Sequence, residues 1–343
     1  MYLNAIFTMI VIDTHTHIIP ENIPDWSKKF GYGEFIQLDH HTKGKAWMMQ
    51  GGKKFREIDE NCWNPEERLV EMDAHGISAQ VICTIPVMFS YWAKKENTLE
   101  ISAFLNDHIL EICQKYKNKF IGLGTVPMQD PAFAVKELTR CMSSGMKGVQ
   151  IGSNINNKNL NEPEFEEFFA IAEEMNAAIL IHPWQMMGQE YMSKYWLPWL
   201  VGMPAEISRA ICSMIFGGMF DKFPKLRVAF AHGGGSFLPT LGRIIHGWEC
   251  RPDLVAVDNP RNPKEYLGKF WVDSHTCEHK MLQYVVDLVG SEKVMQGSDY
   301  PFPLGESIPG ELVRTAPLSE QEKINILSKS AMEWLGMNQS EFN

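Results

Sequence analysis

The sequence predicts a (β/α)8 barrel, the TIM-barrel fold of the α/β class, and three observations support that prediction. Short apolar runs rich in β-branched residues alternate with amphipathic stretches of helical period, which is the pattern of parallel βα units. Eight runs of each kind can be counted, as an eight-stranded barrel requires. The 343 residues suffice for one such barrel with insertions, because a barrel takes about 250 residues. We therefore expect a single barrel domain over residues 9–343.

The predicted strands are short segments whose aliphatic residues end at a polar residue or a glycine. They cover residues 9–13, 79–85, 120–126, 148–151, 178–182, 227–232, 269–273 and 293–297. The predicted helices carry apolar residues three or four positions apart. They cover residues 65–75, 99–116, 132–144, 164–175, 205–223, 236–248, 278–289 and 319–335. Because a helix follows each strand, all eight strands are expected to be parallel.

Two segments interrupt this alternation, and both follow a predicted strand. Residues 18–64 lie between the first strand and its helix, and residues 184–204, rich in tryptophan and tyrosine, follow the fifth strand. Loops that follow barrel strands form the catalytic face of this fold. We therefore expect the first segment to be an insertion subdomain on that face and the second segment to line it.

The composition excludes several classes of protein. The net charge is −10 and no long Lys/Arg run occurs, so nucleic acid is not an expected partner. The sequence lacks the G-x-G-x-x-G and P-loop patterns of nucleotide-binding proteins. We find no signal peptide, no apolar run of membrane-spanning length and no C-x-x-C pair among the seven cysteines. These features predict a cytoplasmic protein with reduced thiols and no membrane partner.

The strongest chemical signal is the segment 13–17, Asp-Thr-His-Thr-His, which follows the apolar run 10–12. Residues i and i+2 of a strand point to the same face, so His15 and His17 should project together from the end of the first strand. Neutral imidazole is the commonest metal ligand in proteins. An isolated H-x-H pair is equally typical of packed or surface histidines, so the interpretation depends on the other strand ends.

Three further strands end in residues of ligand type. The fifth strand ends at His182, the sixth at His232, and Asp299 follows the eighth strand. Taken alone, each would be interpreted as a packed histidine, or as an aspartate of a turn or a helix cap. In a barrel the carboxyl ends of the strands meet at one mouth, so these side chains should converge with His15 and His17.

The converging residues fit a catalytic zinc site. Imidazoles and a carboxylate without a nearby thiolate favour Zn²⁺, and catalytic zinc keeps one position for a water whose pKa falls towards ~7. Three histidines and one aspartate complete the protein's share of the ligands, which leaves one imidazole for acid–base chemistry. We assign that role to His232, because the glycines 233–235 behind it allow backbone and substrate to approach closely.

Longer motifs indicate a family. They are FGYG at 30–33, NCW at 61–63, PVMFSYWAK at 86–94, KYWLPWLVGMPAE at 194–206, AHGGGSF at 231–237 and SDYPFPLGE at 298–306. With these motifs and its strand-end histidines, the chain resembles the amidohydrolase superfamily. Within that superfamily it resembles the decarboxylases that act on an amino-carboxymuconate semialdehyde. The resemblance extends from residue 9 to the C-terminus.

The resemblance implies an activity and a set of site residues. Members of this family are non-oxidative, zinc-dependent carboxy-lyases of tryptophan (kynurenine) or 2-nitrobenzoate catabolism, with a single Zn²⁺ in each subunit. The implied zinc ligands are His15, His17, His182 and Asp299, and the implied acid–base residue is His232. The implied substrate-binding residues are Arg56, Trp199 and Arg243. A homodimer is also implied, because in this family Arg243 reaches into the neighbouring subunit's site.

Without the resemblance, the three substrate-binding residues have simpler interpretations. Arg56 and Arg243 would be surface residues, and Trp199 would belong to a packed or interfacial aromatic cluster. Arginine is nevertheless the side chain that best suits a dicarboxylate substrate, because its charge is permanent and its donors are planar.

One segment departs from the family pattern. Residues 273–279 read Asp-Ser-His-Thr-Cys-Glu-His, where the family would have a more apolar turn ending in His-Asp-Pro. We expect His275 to be an exposed loop histidine; the alternative is that it orients a metal ligand.

Other functions are compatible with the same residues. The metal centre would also serve a decarboxylase of aromatic hydroxy-acids, a hydrolase or a hydratase, because function depends on the pocket rather than on the fold. The environment of Arg56 and Trp199 favours the muconate substrate. A further interpretation is a non-catalytic metal-binding barrel, against which the complete ligand set and the additional His232 argue.

Overall fold

The computed structural model describes residues 9–342, and the predicted barrel is confirmed. Within these residues, eight parallel strands are hydrogen-bonded in chain order and three others form an antiparallel sheet. The strands are β1 (Ile12–His17), β2 (Gln37–Thr42), β3 (Lys45–Gln50), β4 (Lys53–Asp59), β5 (Ala79–Cys83), β6 (Phe120–Thr125), β7 (Gly148–Gly152), β8 (Ala178–His182), β9 (Arg227–Phe230), β10 (Trp271–Asp273) and β11 (Val294–Met295). A parallel bridge between Thr16 and Tyr300 joins the segment after β11 to β1 and closes the ring.

Two apolar regions hold the barrel strands in place. Val149 and Ile151 on β7 belong to the large core between the strands and the surrounding helices. A second cluster fills the barrel interior and includes Ile12, Val81 and Leu180. Alternate residues of one strand therefore serve the two regions, as expected for a closed barrel. This packing fixes the carboxyl ends of the strands relative to one another.

Helices cover the outside of the barrel. They are α1 (Trp26–Phe30), α2 (Pro65–His75), α3 (Lys95–Lys115), α4 (Pro131–Ser143), α5 (Glu166–Glu174), α6 (Met203–Phe216), α7 (Met219–Lys222), α8 (Phe237–Cys250), α9 (Pro252–Val255), α10 (His279–Val289), α11 (Glu311–Thr315), α12 (Glu320–Ile324) and α13 (Ser330–Leu335). The bounds of α2 were predicted correctly because its end signals are strong. The Asn64 side chain accepts a hydrogen bond from the Glu66 N–H, and Gly76 ends the helix in the left-handed conformation.

Several predicted boundaries differ from the structure, and two of the differences have a clear physical cause. The first strand runs over Ile12–His17 rather than 9–13, so both histidines lie within it. Pairing with β5 on one side and a hydrogen bond from the His17 N–H to the Tyr300 carbonyl on the other extend the strand through this polar segment. The predicted helix 205–223 is interrupted between α6 and α7, where Gly218 adopts a φ of +70°.

The segment after β1 contains α1 and the antiparallel sheet β2–β4, none of which we predicted. Trp26, Phe35 and Met48 from this segment form one apolar cluster with Met88, which lies in the loop after β5, and with Ile101 of α3. Because Met88 follows the carboxyl end of a barrel strand, the cluster fixes the inserted sheet beside the mouth of the barrel.

One helical stretch, Pro198–Phe216, is long and apolar enough to cross a membrane by length and composition alone, with 19 residues and a mean hydropathy of 1.2. The expectation that no apolar run reaches this length is therefore wrong by that criterion. Ile207, Ile211 and Met214 of this stretch are wholly buried in the core around the barrel, and the carboxylate of Glu206 is wholly buried too. These are the contacts of a barrel helix.

Candidate metal centre and active site

Five side chains predicted to converge are brought together at the mouth of the barrel. His15 and His17 come from β1, His182 ends β8, His232 follows β9, and Asp299 follows β11. The His15 ring centroid lies 5.1 Å from that of His17 and 5.3 Å from that of His232. The His182 ring centroid lies 5.1 and 5.2 Å from the same two rings. All five residues thus face a common centre.

Hydrogen bonds determine which nitrogen of each imidazole faces that centre. Nδ1 of His17 lies 3.0 Å from the Thr84 carbonyl oxygen, and Nδ1 of His182 lies 3.0 Å from the Pro183 carbonyl oxygen. A carbonyl oxygen only accepts, so both Nδ1 atoms carry the proton and donate it. The neutral rings therefore direct an unprotonated Nε2 towards the centre.

Asp273 sets the orientation of His15 in the same way. Its carboxylate accepts hydrogen bonds from the backbone N–H groups of His232, Gly233 and His275 at 2.8–3.1 Å, and it lies 2.7 Å from Nδ1 of His15. Burial alone would raise the pKa of Asp273, but the His15 hydrogen bond and nearby imidazoles lower it below its usual value. The ionised carboxylate therefore accepts the Nδ1 proton of His15, and Nε2 of His15 also faces the centre.

The lone pairs of these side chains point towards one another, an arrangement that a bound cation would stabilise. Nε2 of His15 lies 3.2 Å from Nε2 of His17, and the latter lies 3.1 Å from Oδ1 of Asp299. Because the protons are on the Nδ1 atoms, no proton lies between these electron-rich Nε2 and carboxylate atoms, and they repel one another. A metal ion at the centre would relieve that repulsion. One donor atom from each of His15, His182, His232 and Asp299 lies within 4.8 Å of the others. A His/Asp metal-binding group is therefore present, and its nitrogen and oxygen donors fit zinc.

The electrostatics of the cluster agree with metal binding. Burial and the neighbouring imidazoles lower the pKa of His182 well below its usual value, which keeps the ring neutral and its lone pair available. Burial alone would raise the pKa of Asp299, but His17 and His232 hold it well below its usual value. Both residues are therefore in the protonation state that a metal requires.

His232 differs from His15, His17 and His182, because no hydrogen bond of 3.5 Å or shorter to the described residues fixes its ring. Its Nε2 lies 3.7 Å from Oδ2 of Asp299, whose carboxylate it helps to keep ionised. The backbone of His232 adopts a φ of +57°, and that of Asp299 a φ of +59°. Left-handed backbone at non-glycine residues is uncommon and concentrates at functional sites. Gly235 is required behind His232, because a Cβ there would lie 2.5 Å from the Pro204 carbonyl oxygen.

A cavity of about 300 Å³ opens onto this cluster. His17, His182 and Asp299 line it, together with Arg56 and Trp199. The remaining lining residues are mainly apolar and aromatic, as is usual for a pocket that binds a small molecule. The inserted sheet and the loop after β8 thus contribute walls to the cavity.

Arg56 and Trp199 lie together in this cavity. The guanidinium carbon of Arg56 lies 5.7 Å from the Trp199 ring centroid and 4.8 Å from that of Phe302. Arg56 is half-buried, and burial lowers the pKa of its guanidinium. Within the described chain, Arg56 makes no ion pair or hydrogen bond, and it is the only Lys or Arg that lines the cavity.

Arg243 is not brought to this cavity within a single chain. It lies on α8, is exposed, and lines a separate groove between α6 and α8. Its predicted role therefore depends on a second subunit.

The expectation that His275 is an exposed loop histidine is wrong. Only 6% of its surface is exposed, and its ring centroid lies 5.6 Å from that of His232. The reason is Asp273, whose carboxylate accepts the His275 backbone N–H and turns this segment inward. Sequence reasoning also missed the part played by Asp273 itself, although it ends a strand at the same mouth as the predicted ligands.

Glu206 is a second residue that the sequence did not indicate. Its buried carboxylate accepts hydrogen bonds from the Met187 N–H at 2.8 Å and from the Asn154 side chain at 3.0 Å. The Asn154 side chain also donates to the Trp184 carbonyl oxygen at 2.6 Å. Glu206 therefore ties the start of the loop after β8 to the end of β7, and so shapes the cavity wall.

Arg68 supports β1 from below the metal-binding group, and its removal should destabilise the fold. Its wholly buried guanidinium donates to the His17 carbonyl at 2.6 Å, to the Thr16 hydroxyl at 2.9 Å and to Gln80 at 3.0 Å. Because Arg68→Met leaves these acceptors buried and unpaired, we expect a loss of about 3 kcal/mol or more in the free energy of unfolding. Urea denaturation measures this loss, and Glu67→Ala, an exposed change on the same helix, is the control. An equal effect of the two substitutions would contradict the account.

The fold and the site define a TIM-barrel enzyme with a His/Asp metal-binding group beside a small-molecule cavity. Residues 12–337 match the protein-family model described as Amidohydrolase, and the chain belongs to this family. It is 51% identical over 333 residues to the 2-amino-3-carboxymuconate-6-semialdehyde decarboxylase of Dictyostelium discoideum, covering 96% of this chain and 93% of the relative. It is 37% identical over 380 residues to the protein of the same name from Caenorhabditis elegans, covering 96% and 95% of the two chains.

A solved structure shows the same fold. The 5-carboxyvanillate decarboxylase of Novosphingobium aromaticivorans, complexed with manganese and 4-hydroxy-3-methoxy-5-nitrobenzoic acid, superposes with a TM-score of 0.78 at 21% identity. The match covers 96% of each chain. From the two relatives together with the site, we conclude that the chain is a decarboxylase of the amidohydrolase superfamily. The predicted family, fold and reaction class are confirmed.

Proposed function

We propose that this protein is a zinc-dependent decarboxylase that converts 2-amino-3-carboxymuconate 6-semialdehyde to 2-aminomuconate 6-semialdehyde and CO₂. The names of the two relatives support the substrate, and tryptophan or 2-nitrobenzoate catabolism in the cytoplasm is the expected setting. The observation that carries the proposal is the unpaired guanidinium of Arg56 in the cavity beside the metal-binding group.

We also infer a single barrel domain over residues 9–343, with residues 18–64 as its insertion.

Arg56 is the residue that selects an anionic substrate. Removing a cation partly from water without a partner is costly, so a half-buried guanidinium favours a ligand that restores its hydrogen bonds. A carboxylate does so with two parallel charge-assisted bonds. The rings of Trp199 and Phe302 beside Arg56 provide apolar walls for the conjugated carbon skeleton. Arg56 therefore binds one carboxylate of the substrate and orients the molecule in the cavity.

His15, His17, His182 and Asp299 would hold a single Zn²⁺ in each subunit. The fixed Nε2 lone pairs of the three histidines and the ionised carboxylate suit this role. When bound, zinc would supply Lewis acidity and lower the pKa of a coordinated water.

His232 supplies the proton that the reaction consumes. Loss of CO₂ breaks a carbon–carbon bond and leaves its electron pair on the conjugated skeleton. A proton must then be added there, so that the carboxylate and a proton give CO₂ and a C–H bond. Imidazole is the side chain most often used for proton transfer, and the Nε2 of His232 is not held by a short hydrogen bond, since it lies 3.7 Å from the Asp299 carboxylate.

Arg56→Ala should lower kcat/KM for the semialdehyde by about 10- to 100-fold, mainly through KM. The reason is the loss of charge-assisted hydrogen bonds to a carboxylate, each worth about 1.5–3 kcal/mol. Arg56→Lys should recover only part of the loss, because lysine lacks the planar pair of donors. Steady-state kinetics measure the effect, and Lys53→Ala, an exposed change on the same strand, is the control. Unchanged KM in Arg56→Ala would show that Arg56 does not bind the substrate.

We further propose that two chains form a homodimer in which Arg243 of each chain binds the second carboxylate in its partner's cavity. Its exposure on α8 and the single arginine in the cavity support this arrangement. Mixing Arg243→Ala and His232→Ala subunits should restore activity, because one site of each mixed dimer has both residues. Random mixing gives up to about a quarter of wild-type activity, since half of the dimers are mixed and half of their sites are intact. Mixed dimers, verified by mass, that show no recovery would exclude the shared site.

A further inference from the structure

A second cavity lies beside the substrate cavity and is open to the proposed acid–base residue, His232. Its volume is about 280 Å³, and it shares Trp199, Met203 and Leu304 with the substrate cavity. His232 lines this second cavity together with Cys277. A molecule held there would therefore contact the proposed acid–base residue, whereas Arg56 does not line this cavity.

The segment 273–279 forms part of the second cavity. Three of its consecutive residues, His275, Thr276 and Cys277, line it. Cys277 adopts a φ of +60°, and it is exposed. All seven cysteines are free, and five of them are buried or partly buried, so Cys277 and Cys250 are the thiols most accessible to reagents.

His275 gives an independent indication that a ligand belongs in this cavity. Its Nδ1 is buried and has no hydrogen-bond partner within residues 9–342, which is uncommon for a buried polar atom. Its Nε2 lies 3.9 Å from the sulfur of Cys277. A buried imidazole with one unpartnered nitrogen thus lies beside an accessible thiol in a cavity of molecular size.

We propose that Cys277 is a site of covalent modification by low-molecular-weight disulfides, and that the attached group fills the second cavity and obstructs His232. The Cys277 sulfur attacks one sulfur of the disulfide, so a new S–S bond forms as the old one breaks. The other half leaves as a thiol and takes up the proton that Cys277 releases, with His275 positioned to pass it on. A small thiol reverses the reaction. The attachment is independent of the proposed function, whereas the loss of activity rests on the role proposed for His232.

The surroundings of Cys277 also predict how the reaction depends on pH. Burial raises the pKa of the Cys277 thiol, the carboxylates of Glu306, Asp273 and Asp299 raise it further, and the thiolate is the reactive form. Modification should therefore accelerate as the pH rises from neutral into the alkaline range.

The test uses the full-length, metal-loaded protein and glutathione disulfide as the probe. Peptide mass spectrometry locates the adduct, and CO₂ release is measured before and after treatment with a reducing thiol. We expect the wild type and Cys250→Ser to gain glutathione on Cys277 and to lose at least about tenfold in rate, reversibly. Cys277→Ser should keep its activity under the same treatment.

A second measurement needs no substrate, so it tests the obstruction of His232 independently of the proposed decarboxylase activity. Diethyl pyrocarbonate modifies accessible histidines, and the Cys277 adduct should protect His232 from it. No adduct on Cys277 in the folded protein would overturn the proposal. If the adduct forms but changes neither the rate of CO₂ release nor the reactivity of His232, the proposal that the attached group obstructs His232 is wrong. A protein that forms the adduct and shows the protection but releases no CO₂ would instead count against the proposed function.

Discussion

Replacing His232 with alanine should lower the rate of CO₂ release at least about a hundredfold and leave the metal content near that of the wild type. No hydrogen bond of 3.5 Å or shorter to the described residues fixes the ring of His232, and its Nε2 lies 3.7 Å from Asp299, so the ring is placed to move a proton. The metal should stay because His15, His17 and His182 each direct a fixed Nε2 to the centre. Steady-state kinetics and metal analysis of the same sample measure both properties.

The control for this variant is His246→Ala, an exposed change on α8. It should alter neither the rate nor the metal content. Loss of metal from His232→Ala, with the fold intact by circular dichroism, would show that His232 is a ligand. The donor atoms of His15, His182, His232 and Asp299 all lie within 4.8 Å of one another, so this competing ligand set is a real geometric alternative.

Replacing His17 with alanine should differ from replacing His232 in one respect. Both variants should lose activity, but only the His17 variant should also lose the metal. Nδ1 of His17 donates to the Thr84 carbonyl, and its Nε2 lies 3.1 Å from the Asp299 carboxylate, so the ring has the orientation of a ligand. We expect a fall in zinc affinity of more than about a hundredfold, which exceeds the effect of losing a group that only orients a ligand. Equilibrium dialysis against zinc measures the affinity.

Asp273→Asn gives the matched comparison, because Asp273 touches His15 but not the metal centre. It should weaken zinc binding by about 10- to 100-fold and no more, since it removes the negative charge that favours the His15 tautomer and replaces one accepting oxygen by an NH₂ donor. If His17→Ala keeps its zinc while His232→Ala loses it, the two histidines exchange roles and our assignment is wrong.

Local sequence patterns predicted the barrel because each βα unit has its own signature. The eight strands carry aliphatic runs, and helices such as α2 have caps that can be recognised within a few residues. The convergence of His182, His232 and Asp299 then follows from the topology alone, since all three follow strand ends of one barrel. The prediction that these residues converge therefore required no knowledge of side-chain contacts.

The inserted sheet could not be predicted in the same way. Strands β2 and β4 are mostly exposed and polar, so they lack the aliphatic runs that mark the barrel strands. One signal was present, because Gly51 and Gly52 join β3 to β4 as a two-residue hairpin turn. The apolar side of this sheet is defined only by distant partners such as Met88 and Ile101.

Contacts between residues far apart in the sequence also determine the side-chain environments that we predicted wrongly or could not predict. Asp273 orients His15 across 258 residues of sequence, and the same carboxylate draws the backbone of His275 inward. Arg56 resembles a surface residue until Trp199 and Phe302 are placed beside it. Neither arrangement has a local signature, so both required the folded structure.

The most direct test of the proposed function is CO₂ release from freshly generated 2-amino-3-carboxymuconate 6-semialdehyde by the purified protein. The measurement is made after chelation, and again after zinc is added back, with manganese in a parallel sample. The account predicts release that disappears with the metal and returns with zinc. Failure of a folded, zinc-loaded protein to release CO₂ would contradict it, and aromatic hydroxy-acids would become the substrates to assay.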